Sequence, residues 1–152
     1  MQIETLHDVM QWTKNMHQEL HYFAANCALK SDSVRVGLLL KYISDHEKKM
    51  AQIMKKFEDS GNNSALNTYS RHYYEKLAIS IHTEGEHPFE KMDTDEIAIV
   101  TLEYHKNIVG LFEYLQKCSC APSVTEFLND ILSVQEAEGR LLARNMKQID
   151  DL

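Results

Sequence analysis

Glycine and proline are scarce, five and two in 152 residues, so the chain has few points at which a helix must break. No apolar run approaches the roughly 18 residues of a membrane-spanning helix. The start, Met1-Gln2-Ile3-Glu4, has neither the basic nor the apolar segment of a secretory signal. A cytoplasmic protein without a membrane partner is the expectation. The three cysteines are odd in number and lack framework spacing, which argues against a disulfide scaffold and suits a reducing compartment. Positive charge is outnumbered, 16 Lys and Arg against 23 Asp and Glu, and the net charge of -7 repels phosphate backbones. Nucleic acid is therefore not expected as a partner. Lys48, Lys49, Lys55 and Lys56 recur seven apart and read as a solvated helix flank. Every glycine stands singly, which leaves no phosphate-cradling loop, and no strand-turn-helix elbow offers a nucleophile.

What is present is apolar periodicity. Leu6, Val9, Met10, Met16, Leu20, Phe23, Ala24 and Cys27 keep the three-and-four spacing of a helix with one buried stripe, over about residues 4–30. Ser31-Asp32-Ser33 supplies turn and N-cap oxygens, and Val36 to Phe57 continue the periodicity in a second helix over about 33–59. Ser60-Gly61-Asn62-Asn63 closes it with residues that tolerate the left-handed backbone common at helix ends. Residues 61–93 are far longer than the 2–8 residues that join antiparallel bundle neighbours, so they are expected to travel the bundle's length, with a short helix at about 65–82. Asp93-Thr94-Asp95-Glu96 opens a third long helix at about 95–118. Ala121-Pro122-Ser123 turns the chain into a fourth at about 123–150. At this length one all-α domain, 1–152, is expected: a four-helix bundle of two helical hairpins joined by a long crossover.

In that layout, and in the stretch Leu39-Leu40-Lys41-Tyr42-Ile43-Ser44-Asp45-His46-Glu47, the chain resembles the ferritin-like superfamily, including its rubrerythrin-like branch. The resemblance implies two metal ions held between the helices. The usual ligand set is one Glu from each of two helices and Glu-x-x-His from each of the other two. Here no Glu precedes His46 by three, and Gly139 and Leu141 stand where a His would follow Glu136 and Glu138. The pairs that do fit, Glu4/His7 and Glu84/His87, fall at a helix start and in the crossover.

Helical wheels at about 100° per residue put His46 and Glu138 near the centres of their apolar stripes and His17 and His105 about 60–70° off axis. His17 and His46 are equally far from the first hairpin turn, and His105 and Glu138 differ by three residues, about 4.5 Å along the axis. Glu47, Tyr42 and Tyr104 lie close by. A buried carboxylate must be paired, protonated or coordinated. Imidazole and carboxylate donors suit iron, manganese or zinc. His17, His46, Glu47, His105 and Glu138 are thus the candidate ligands, and redox or oxygen chemistry is the expected use. The competing expectation is a layer without metal that fixes bundle register in an interaction or oligomerisation module, with Tyr69, Tyr73 and Tyr74 on the crossover as its contact surface.

Overall fold

The computed structural model describes residues 3–68 and 89–152, in which four long helices carry the fold: α1 (Leu6–Lys30), α2 (Val34–Ser60), α4 (Thr94–Cys118) and α5 (Pro122–Asp150). A four-residue helix, α3 (Asn63–Leu66), and a 3₁₀ turn, Phe89–Lys91, flank the rest of the crossover. No strand occurs among the described residues, and no helix among them is long and apolar enough to cross a membrane.

The ends of these helices are set by short polar side chains. Thr5 Oγ1 accepts from the Asp8 amide while Asp8 Oδ2 accepts from the Thr5 amide, so two orphan donors of the first turn are satisfied reciprocally. Asp93 and Glu96 repeat the device at α4. Ser33 caps α2, whereas α5 has no side-chain cap and begins on Pro122, whose missing N–H costs nothing in a first turn.

Contacts at both ends fix the topology. The carboxylate of Glu58, late in α2, receives Lys14, Gln11 and His7 from early α1, so these helices are antiparallel. The Leu6 amide donates to the Thr68 carbonyl, and the rings of Phe23 and Phe89 stand 5.0 Å apart. The two described ends of the crossover therefore dock 17 residues apart on α1, about 25 Å along its axis. Thr94 donates to Asp150, which makes α4 and α5 antiparallel. With the two described ends of the crossover at opposite ends of α1, α4 runs parallel to α2. The core between the hairpins is filled by Leu39, Leu40, Ile43, Met50, Met54, Ile97, Ile108, Phe112, Leu128, Ile131 and Leu142.

The helix expected over 65–82 lies largely outside the described residues, and the turn that is described starts earlier, where Asn62 accepts from the Ser64 amide. Gly61 is extended, at φ -66° and ψ 152°, and no described residue has a positive φ. The glycine is required by space. A Cβ there would lie 2.9 Å from Leu66 Cδ1, from Phe127 Cε2 and from the Phe57 carbonyl oxygen, and that oxygen cannot swing aside. Gly61→Ala is expected to cost about 1–3 kcal/mol, as overpacked sites do, because the unfolded-state entropy gain of about 0.4–1 kcal/mol does not offset the clash. Urea unfolding measures it, and an unchanged midpoint would show that the contact relaxes.

Candidate metal centre

The polar residues enclosed by the bundle are few, and two of them explain themselves. Thr13 and Thr101 donate to the carbonyls of Val9 and Ile97, four residues earlier in their own helices. At mid-height a different set converges: His17 from α1, His46 and Glu47 from α2, His105 from α4, and Gln135 from α5, all buried. Glu47 is the centre. His17 Nδ1 lies 2.6 Å from its Oε2, and His105 Nε2 lies 2.5 Å from its Oε1. The rings of His17 and His105 stand 5.6 Å apart, as do those of His46 and His105.

Burial alone would push the Glu47 carboxyl up, but His105 and His17 overcome it and hold the group well below the usual range. Burial also opposes charge on His105, yet the adjacent Glu47 carboxylate prevails and raises its pKa. For His17 burial wins over the hydrogen bond it donates to Glu47 and the pKa falls. The pair Glu47 and His105 thus favours charge on both partners, whereas burial disfavours charge on His17. With its proton on Nδ1 facing Glu47, His17 presents Nε2 as acceptor to the Gln135 amide nitrogen at 3.4 Å.

Four buried atoms find no hydrogen-bond partner among the described residues: both nitrogens of His46, Nδ1 of His105 and Oε1 of Gln135. Each orphan costs about 1–3 kcal/mol relative to a satisfied group. A layer serving stability alone would not carry four. The donor chemistry fits a transition metal, since one oxygen or nitrogen each from His17, Glu47 and His105 lie within 4.8 Å of one another. Two imidazoles and one carboxylate suit a single divalent ion of iron, manganese or zinc. They do not fit a carboxylate-bridged pair of ions, because Glu47 is the one fully buried carboxylate among the described residues.

The placement sharpens the sequence expectations. Glu47, one of the five candidate ligands, lies at the centre of the layer, and His17 and His105, expected at stripe edges, are enclosed. A helix in a four-helix bundle packs against two partners, so its buried face is wider than one apolar stripe. Glu138, expected near the stripe axis of α5, sits at the rim, its side chain 16% exposed. Val134 and Leu141, on the Glu138 side of α5, are half-buried, and the enclosed positions include Leu128, Ile131, Gln135, Leu142 and Met146. Gln135 was not anticipated. Its signal was a polar residue four after Ile131 and seven before Leu142. Tyr104 donates its hydroxyl to Met16 Sδ and Tyr42 accepts from Asn145, so neither phenol reaches Glu47 by a hydrogen bond. Tyr69, Tyr73 and Tyr74 lie outside the described residues.

The fold and this layer define a class: a bundle of two hairpins and a crossover enclosing a histidine-rich polar centre. No protein-family model matches the sequence, and no curated protein matches it. Among solved structures, the crystal structure of a candidate ferritin-like diiron-carboxylate protein from Thermotoga maritima matches with a TM-score of 0.62 at 14% identity, covering 94% of this chain and 95% of that one. At that identity the likeness is one of fold, and the fold of this chain is ferritin-like.

Proposed function

We propose that this chain is a ferritin-like metal-binding protein in which His17, Glu47 and His105 hold one divalent transition-metal ion. The observation that carries this reading is the enclosed trio, with ligand atoms within 4.8 Å, beside the unpartnered His46. Glu47 would supply the anionic oxygen, and His17 and His105 the nitrogens. With His17 Nδ1 on the metal, the ring proton would move to Nε2, and Gln135, its amide turned to present Oε1, would accept it and orient the ligand. Iron or manganese so bound would supply one-electron redox chemistry, and zinc a Lewis acid. Ile43, Met50, Ile108 and Ile131, each buried one helical turn from a residue of the layer, limit the access of bulk water.

Equilibrium dialysis of the metal-stripped protein against ferrous iron under argon, manganese and zinc tests this. One ion per chain is expected for at least one of the three. Two equivalent ions per chain would contradict the single-ion site, and no bound ion would reject the reading.

A second reading is favoured by the 2.5 and 2.6 Å contacts, which already give each Glu47 oxygen a partner. In it the layer only holds the helices in register, and the bundle acts as an interaction or homo-oligomerisation module. Exposed Tyr22, Leu29, Val34 and Leu38 along the α1–α2 hairpin would then be its contact surface among the described residues.

A further inference from the structure

The layer meets solvent along one file of charged and polar groups. His17 and Glu47 are completely enclosed, and the His105 side chain nearly so. His46 is enclosed too, its side chain 3% exposed, but it lies between the centre and the surface. Its Nδ1 is 3.5 Å from Glu47 Oε1, and its Nε2 is 3.3 Å from Glu138 Oε2. Neither nitrogen has a hydrogen-bond partner among the described residues. Beyond it, Lys49 Nζ donates to both Glu138 oxygens, at 2.9 and 3.1 Å, from a side chain that is 52% exposed. Lys49, Glu138, His46 and Glu47 thus run inward in that order.

An ammonium bonded to both oxygens of a carboxylate puts a positive charge where a chelated cation would sit. Such an ion pair at the surface is weak, and the lysine stem is flexible. The ammonium can therefore leave at little cost, and its departure offsets the charge of an arriving ion. The unpartnered nitrogen of His46 is the second donor at the same spot. Each ring nitrogen already faces one carboxylate, at 3.3 and 3.5 Å, without a hydrogen bond to hold it, so the ring bridges the Glu138 side and the Glu47 side.

From this geometry we infer that Glu138 and His46 form the entry station for a divalent cation bound for Glu47, with the Lys49 ammonium as its plug. The inference rests on the metal-binding reading of the inner trio. A hydrated cation displaces Lys49 from Glu138, gains His46 Nε2, and passes to the Glu47 side of the same ring. Lys49 then returns to Glu138. Seating the ion at the inner trio also releases to solvent the N–H protons that His17 Nδ1 and His105 Nε2 hold toward Glu47, because a ligating nitrogen must be deprotonated.

Stopped-flow mixing of the metal-stripped chain with Co²⁺, followed by its visible absorption, tests the station separately from the inner site. Glu138→Gln is expected to slow uptake by about tenfold or more, since a single carboxylate at a low-dielectric mouth raises the local cation concentration. Release should slow in parallel, as it must when a passage and not a ligand is lost. Lys49→Met should speed uptake by roughly the same factor. Glu136→Gln, an exposed carboxylate on α5 outside the file, is the control for net charge and should leave uptake as in the wild type. Equal rates in the Glu138 and Glu136 variants would overturn the station while leaving the inner site standing. So would faster release from Glu138→Gln with unchanged uptake, which would make Glu138 a permanent ligand. A wild-type chain that takes up no Co²⁺ would overturn the station together with the reading it rests on.

Discussion

Glu47→Ala is expected to lower the free energy of unfolding by about 3–5 kcal/mol at neutral pH, the cost of breaking a buried charge pair by removing one partner. The carboxylate accepts from His17 and His105 at once, so its loss leaves two enclosed N–H donors with no acceptor. Neither reaches water. His105 also loses the charge that holds its pKa up against burial, so it becomes neutral in the folded variant. The sign of the pH dependence follows. In the wild type the raised pKa of His105 contributes stability below about pH 6.5, the unfolded value, and that contribution is lost as pH rises through the higher folded value. In the variant that contribution is gone, and protonation of both histidines on unfolding favours the unfolded chain. The gap between wild type and Glu47→Ala should widen as pH falls from 7 toward 5. Urea titrations at both pH values measure it. A gap that narrows would mean that His105 carries no proton in the native bundle.

The bundle was largely legible because its determinants are local. The Thr5/Asp8 and Asp93/Glu96 capping boxes and Pro122 mark helix starts within a residue or two of where they fall. The length of the connection dictated a crossover. The reason for Gly61 was not legible, since it lies in the approach of Leu66 and of Phe127, 66 residues further on, and no dihedral preference reports such a contact. The polar layer was half legible. A wheel locates residues around one helix, and so it found that each long helix brings a polar group to the same height. It cannot weigh two neighbours on a helix about 100° apart, and His46 and Glu47 are such a pair. Which of them takes the centre depends on which face α2 turns to α1 and α4. Glu47 meets both His17 and His105, and His46 faces Glu138 at the rim. Gln135 escaped notice because an amide carries no formal charge to make its burial conspicuous, although its Nε2 is within 3.4 Å of His17 and 3.6 Å of Met54 Sδ.

Whether the layer is held for stability or for a ligand can be decided by removing all of it. In the quadruple variant His17→Leu, Glu47→Leu, His105→Leu and Gln135→Leu, four enclosed polar side chains give way to apolar ones of comparable volume. Replacing a buried ion pair in this way is commonly neutral or stabilising by about 1–4 kcal/mol, because the desolvation of both charges is relieved together. Two of the four orphaned atoms, His105 Nδ1 and Gln135 Oε1, disappear with it. The quadruple variant is therefore expected to unfold at the same urea concentration as the wild type or higher, although removing the Glu47 carboxylate alone, as in Glu47→Ala, is severely costly. Contacting residues couple, so their effects do not add. Metal binding should be abolished outright, since all three proposed ligands are gone. That combination, a bundle as stable as before and blind to metal, is what a layer maintained for its ligand gives. A quadruple variant that unfolds several kcal/mol more easily, or that populates several packings, would instead make the layer a register device. The 2.5 and 2.6 Å contacts around Glu47 would then be its whole purpose.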